Sequence, residues 1–141
     1  GSGPTALSMA YMGLTGKNNW TPADIAGAVE TAKATDTDSG MNRSFLEKNL
    51  ANLGLTADSY NISADNITTL LDAETFLLVE IKGNKLSSDG DHWILVTSKN
   101  DDGTVNVHDP LSPEVSARPW AAETIASAAN ALYTVTVKAA E

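Results

Sequence analysis

Three residues have the types and order that acyl-transfer chemistry uses: Ser2, His92 and Asp109. Ser2 stands between two glycines in GSGPTAL, at the start of an apolar helical stretch. His92 opens the strand-like run HWILVTS, and Asp109 closes TVNVHDP. The intervening NDDG reads as a hairpin turn, which brings His92 and Asp109 to the same edge of a sheet. An imidazole in such a site needs a carboxylate to fix its tautomer and a nucleophile on its other side. A helix N-terminus adds N–H groups and partial positive charge, which stabilise a thiolate or an oxyanion. Each residue also has a plainer reading. Ser2 suits a helix cap, His92 suits a structural histidine heading an apolar strand, and Asp109 before Pro110 suits a turn.

The elements that must position these residues are readable from period and punctuation. Pro4 fits the first turn of a helix, continued by Ala6, Leu7, Met9, Ala10 and Met12 and ended by Gly13 or Gly16. A second helix starts at TPAD, with Thr21 as cap, Pro22 in the first position and Asp24 as the capping-box acid. Its buried face is Ile25, Ala28, Val29 and Ala32. ATDTDSG is a polar loop. RSFLEKNLANLG predicts a third helix, with Phe45, Leu46, Leu50 and Leu53 inward and Gly54 as its left-handed stop. The period then changes. TFLLVEI, HWILVTS and TVNVHDP read as strands, followed by a short helix near Trp120 to Ala129 and a last strand LYTVTVK. Helices first and antiparallel strands later predict an α+β domain with N-terminal helices packed on the sheet.

Length and composition narrow the function classes. The 141 residues predict a single domain, 1–141, able to bury a core. A net charge of −9 argues against nucleic acid, whose phosphates need clustered Lys and Arg. The absence of cysteine excludes disulfides and thiolate metal sites, and no apolar run reaches the ~20 residues of a membrane helix. Asp36, Asp38, Asn42 and Glu47 fall at calcium-loop spacings. However, Gly40 offers no side-chain oxygen at the fifth position, and Met41 replaces the turn glycine at the sixth. His108 neighbours Asp109 in a strand and so points to the opposite face, which argues against a two-histidine metal site. Neither metal nor cofactor is expected. Trp20, Trp93 and Trp120 read as core or cleft-wall residues, with Trp93, next to His92, as the one to line a substrate groove.

GSGPTALSMAYMGLTGK followed by DHWILVTSKNDDGTVNVHDP resembles the papain-like cysteine peptidases of the bacteriocin-processing type and their secreted bacterial relatives. The resemblance extends through TPADIA and the LGL after the third helix. It implies a papain-like fold and peptide-bond hydrolysis, with Ser2 at the place of the nucleophilic cysteine, His92 as general base and Asp109 as the residue that orients it. Gly3 and Trp93 would contact substrate. The expected partner is a peptide or protein, the expected state a monomer, and the expected setting the exterior or surface of a bacterial cell. The chain departs from the family in three places: Ser2 replaces cysteine, Asp91 replaces glycine, and His108 stands where asparagine is frequent. The family's oxyanion-hole glutamine would precede Gly1, so the N-terminus reads as trimmed. A serine here fits a deliberate replacement, a natural loss of the nucleophile, or a Gly-Ser pair left by cloning. In each case the domain is expected to be inactive, or to serve as a non-catalytic peptide-binding module.

Overall fold

The computed structural model describes residues 1–140. Helix α1 (Ser2–Thr15) ends at Gly16, which takes φ 71° and returns its N–H to Met12. A side chain would be strained in that left-handed conformation, so Gly16 and not Gly13 is the stop. Helix α2 (Pro22–Thr31) has the reciprocal capping box. Thr21 Oγ1 accepts from the Asp24 N–H at 3.2 Å, and Asp24 Oδ2 accepts from the Thr21 N–H at 3.0 Å.

The third helix is not continuous. Helix α3 (Arg43–Lys48) gives way at Asn49, φ −121°, to a 3₁₀ turn over Leu50–Leu53. Side chains three apart eclipse in that tighter turn, so Leu50 and Leu53 both enter the core before Gly54, φ 73°, releases the chain into β1 (Leu55–Tyr60).

The sheet is completed by β2 (Phe76–Ile81), β3 (His92–Lys99), β4 (Thr104–His108), β5 (Trp120–Ala121) and β6 (Ala129–Val137). Three short helices accompany them: α4 (Ala64–Thr69), α5 (Pro113–Ser116) and α6 (Ala122–Ala128). The strand order is β1-β6-β2-β3-β4-β5, with antiparallel neighbours throughout. The last strand starts at Ala129, three residues before the expected Leu132, and lies between β1 and β2.

Strand periodicity divides the interior into two cores. Leu78, Trp93, Leu95 and Tyr133 face α1, α2 and α3, together with Ala6, Leu7, Ile25 and Phe45. Leu77, Val79, Ile81, Ile94 and Val96 face Ile67 of α4, Val115 of α5 and Ile125 of α6. Helices therefore cover both faces of the sheet, one more layer than the N-terminal helices alone would provide. Among the described residues, no helix is long and apolar enough to cross a membrane.

One feature of the register positions the site. Strand β4 ends at His108, which lies opposite Leu95. The first three residues of β3 therefore extend past their β4 neighbour, and the N-terminus of α1 approaches there.

Candidate active site

His92 and Asp109 meet. His92 Nε2 lies 3.0 Å from Asp109 Oδ2, and both side chains are fully withdrawn from solvent. Their convergence follows from strand parity: Asp109 continues the inward alternation of Val105 and Val107, while His108 is exposed. The aspartate is fixed from several sides. Its Oδ1 accepts from the Leu111 N–H at 2.9 Å, and its own N–H donates to Ser116 Oγ at 2.8 Å. Burial pushes the Asp109 carboxyl up. The hydrogen bonds from His92, Ser87 and the Leu111 N–H outweigh it and hold the group below its ordinary value.

Ser2 reaches the same place from α1. Its Oγ accepts a 3.0 Å hydrogen bond from the backbone N–H of Trp93, the residue after His92. Its hydroxyl has one long acceptor, the Ser39 carbonyl at 3.5 Å. Ser2 is not the helix cap: Gly1 occupies that position, and no side chain caps the helix. No hydrogen bond joins Ser2 to the imidazole. His92 Nδ1 is buried and has no hydrogen-bond partner among the described residues, while Nε2 is engaged by Asp109.

The loop before α3 closes over the helix start. Ser39 O accepts from the Gly3 N–H at 2.9 Å, and Asp36 Oδ1 accepts from the N–H groups of Asp38 and Ser39, both at 2.9 Å. That loop is braced internally and against α1. It makes Gly3 a packing residue. A Cβ at Gly3 would lie 2.6 Å from Met41 Cβ and 3.2 Å from Trp93 Cδ1, so the position has no room to receive a substrate.

Trp93 is likewise a packing residue and lines no groove. It is 0% exposed, and its indole N–H donates to the Met41 carbonyl at 2.9 Å. Alternation turns it away from the His92 face and into the first core, where its ring lies 6.1 Å from that of Tyr133. Ser2, His92 and Asp109 are only 1%, 0% and 3% exposed. A cavity of about 410 Å³ lies nearby, lined by Lys85 and Leu86 with Glu123, Thr124, Ser127 and Ala128 of α6. None of the three candidate residues lines it.

Sequence reasoning missed Ser87. Its Oγ is 2.7 Å from Asp109 Oδ2 and 3.2 Å from His92 Nε2. No motif singles out one serine in NKLSSDGD, and only the fold of the 82–91 loop aims it inward. Asp91, the substitution next to His92, turns elsewhere: it accepts from the Gly83 N–H at 2.7 Å and from Asn130 Nδ2 at 3.3 Å.

Helix α1 packed on a six-stranded antiparallel sheet, with helices on both of its faces, is a papain-like peptidase fold. The structure is similar to the peptidase domain of Streptococcus ComA, a bifunctional ABC transporter involved in a quorum-sensing pathway. The TM-score is 0.70 at 19% identity, over 97% of this chain and 91% of that one. No family model matches the sequence, and no curated protein does. At that identity the likeness establishes the fold.

Proposed function

We propose that the chain is a peptidase-type domain, laid out for acyl transfer from peptide amides, in which serine holds the nucleophile's place and turnover is lost. The observation that carries this reading is the His92–Asp109 pair with Nδ1 left bare, on the residue before the one whose N–H bonds Ser2. A carboxylate on Nε2 leaves the lone pair on Nδ1, the state of a general base. With a thiol at position 2, that nitrogen would take its proton and the thiolate would attack a peptide carbonyl. The imidazolium would then protonate the leaving amine, and water would release the acyl group. A serine hydroxyl is far less acidic than a thiol, and here it accepts from Trp93 with no bond to the imidazole. The setting that accompanies this reading is the exterior or surface of a bacterial cell, with a peptide or protein as ligand.

The chain as it stands is expected to hydrolyse no peptide in a Ser2-dependent way. Ser2→Cys is expected to create a thiol that iodoacetamide alkylates at mildly acidic pH, below the ~8.5 of free cysteine. His92→Ala in that background should return the profile to that of an ordinary thiol. Hydrolysis by the unaltered chain that Ser2→Ala abolishes would establish a serine hydrolase instead.

A second reading, a non-catalytic peptide-binding module, is favoured by the burial of all three side chains. An alkylation profile centred at that of free cysteine and indifferent to His92→Ala would select it.

A further inference from the structure

We propose that Ser87 is a positioning residue for the His92–Asp109 pair, holding the carboxylate in place and fixing the imidazole proton on Nε2. Its consequence for nucleophile activation rests on the peptidase-type reading above; the positioning itself does not.

Three polar atoms form a closed triangle. Ser87 Oγ lies 2.7 Å from Asp109 Oδ2 and 3.2 Å from His92 Nε2, and Nε2 lies 3.0 Å from the same carboxylate oxygen. The ionised carboxylate has no hydrogen to give, so the serine hydroxyl donates to it. The remaining serine lone pairs then face Nε2. That nitrogen is surrounded by acceptors and must carry the hydrogen, which leaves Nδ1 as the bare base. Asp109 is thereby anchored at both oxygens, Oδ1 by the Leu111 N–H and Oδ2 by Ser87. The other carboxylate flanking His92, Asp91, is occupied with Gly83 and Asn130.

The backbone bears a cost for this placement. Leu86, immediately before Ser87, adopts φ 62°, and Asn84 adopts φ 65°. Asparagine tolerates the left-handed region, whereas a leucine there is strained by the clash of its Cβ with the following carbonyl oxygen. The loop's neck is clamped by Gly83 N–H to Asp91 Oδ1 and by Asn84 N–H to the Ser88 carbonyl at 2.8 Å. Ser87 itself is exposed while its hydroxyl points down to the pair, so it is the outermost polar contact over two buried side chains. A surface staple would need neither the strain nor that shared contact.

The test compares Ser87→Ala and Ser87→Thr by two measurements. Imidazole ¹⁵N NMR of the native-sequence chain, with His108→Gln to assign the signals, is expected to show His92 as a single Nε2–H tautomer with a slowly exchanging proton. Ser87→Ala should mix the tautomers and speed that exchange, and Ser87→Thr should retain the native signature. In the Ser2→Cys background, Ser87→Ala should slow alkylation at mildly acidic pH by roughly tenfold, the scale seen when an orienting partner is lost. An unchanged His92 signature in Ser87→Ala overturns the proposal, whatever the thiol does. A changed signature with a free-cysteine alkylation profile in every variant supports Ser87 positioning and removes the peptidase reading.

Discussion

At the scale of single residues, Ser2 is a structural anchor between helix and sheet. Ser2 Oγ ties α1 to the free end of β3 through the Trp93 N–H, a link between positions 91 residues apart. Gly3 completes the joint by having no side chain. Gly3→Ala tests that account through two opposed effects. Alanine favours a helix over glycine by up to about 1 kcal/mol. The added Cβ would meet Met41 Cβ at 2.6 Å, with Trp93 and the Ser39 carbonyl each at 3.2 Å, and neither a Cβ nor a backbone oxygen can swing away. Overpacking of this kind costs about 1–3 kcal/mol. Gly3→Ala is expected to be net destabilising by chemical denaturation; a midpoint at or above the parent's would show that the joint has slack. The meeting of His92 with Asp109 was legible in sequence because residue type, order and turn signals agreed. Trp93 and Gly3 were misread, because proximity in sequence to a candidate catalytic residue says nothing about which way a side chain turns.

At the scale of elements, local signals succeeded where a helix carries its own punctuation. Helix α2 has Thr21 as its cap, Pro22 at the first position and Asp24 at the third, and Thr21 and Asp24 bond each other reciprocally. Thr21→Ala is expected to cost about 1 kcal/mol, with Asp24 losing its reciprocal partner. Thermal unfolding reads this as a lower midpoint, and an unaltered midpoint would mean that α2 is held by packing alone. Strand β1 was illegible because only Leu55 along it is buried, so no alternation exists to read. Helices α4 and α5 have six and four residues, too short for a 3.6-residue period to declare itself. Each bears a serine cap: Ser63 accepts from the Asn66 N–H at 3.0 Å, and Ser112 from the Val115 N–H at 3.1 Å.

At the scale of the whole molecule, the two cores share strands. Successive residues of β2 enter opposite cores, Leu77 and Val79 one and Leu78 the other, and β3 does the same with Trp93 and Ile94. Neither core can melt without dismantling a strand that the other needs. Unfolding is therefore expected to be a single cooperative transition. Leu78→Ala in the first core and Ile125→Ala in the second should each lower that one midpoint, by about 2–5 kcal/mol in stability. Far-ultraviolet circular dichroism and tryptophan fluorescence measured along a denaturant series check this. Two resolved transitions, each moved by only one of the variants, would mean that the cores are independent.

The sequence by itself determined the α+β class, the hairpin between β3 and β4, and the inward parity of Asp109 against the outward parity of His108. These are consequences of period and turn chemistry, which act over a few residues. Only the tertiary structure decided that Ser2 would bond to Trp93 and not to His92, that the Ser39 loop would close on the helix start, and that Ser87 would cap the pair. Those contacts join residues 91, 37 and 22 positions apart. Their geometry depends on how α1 meets the open end of β3 and on a left-handed leucine in the covering loop, neither of which leaves a periodic trace in the chain.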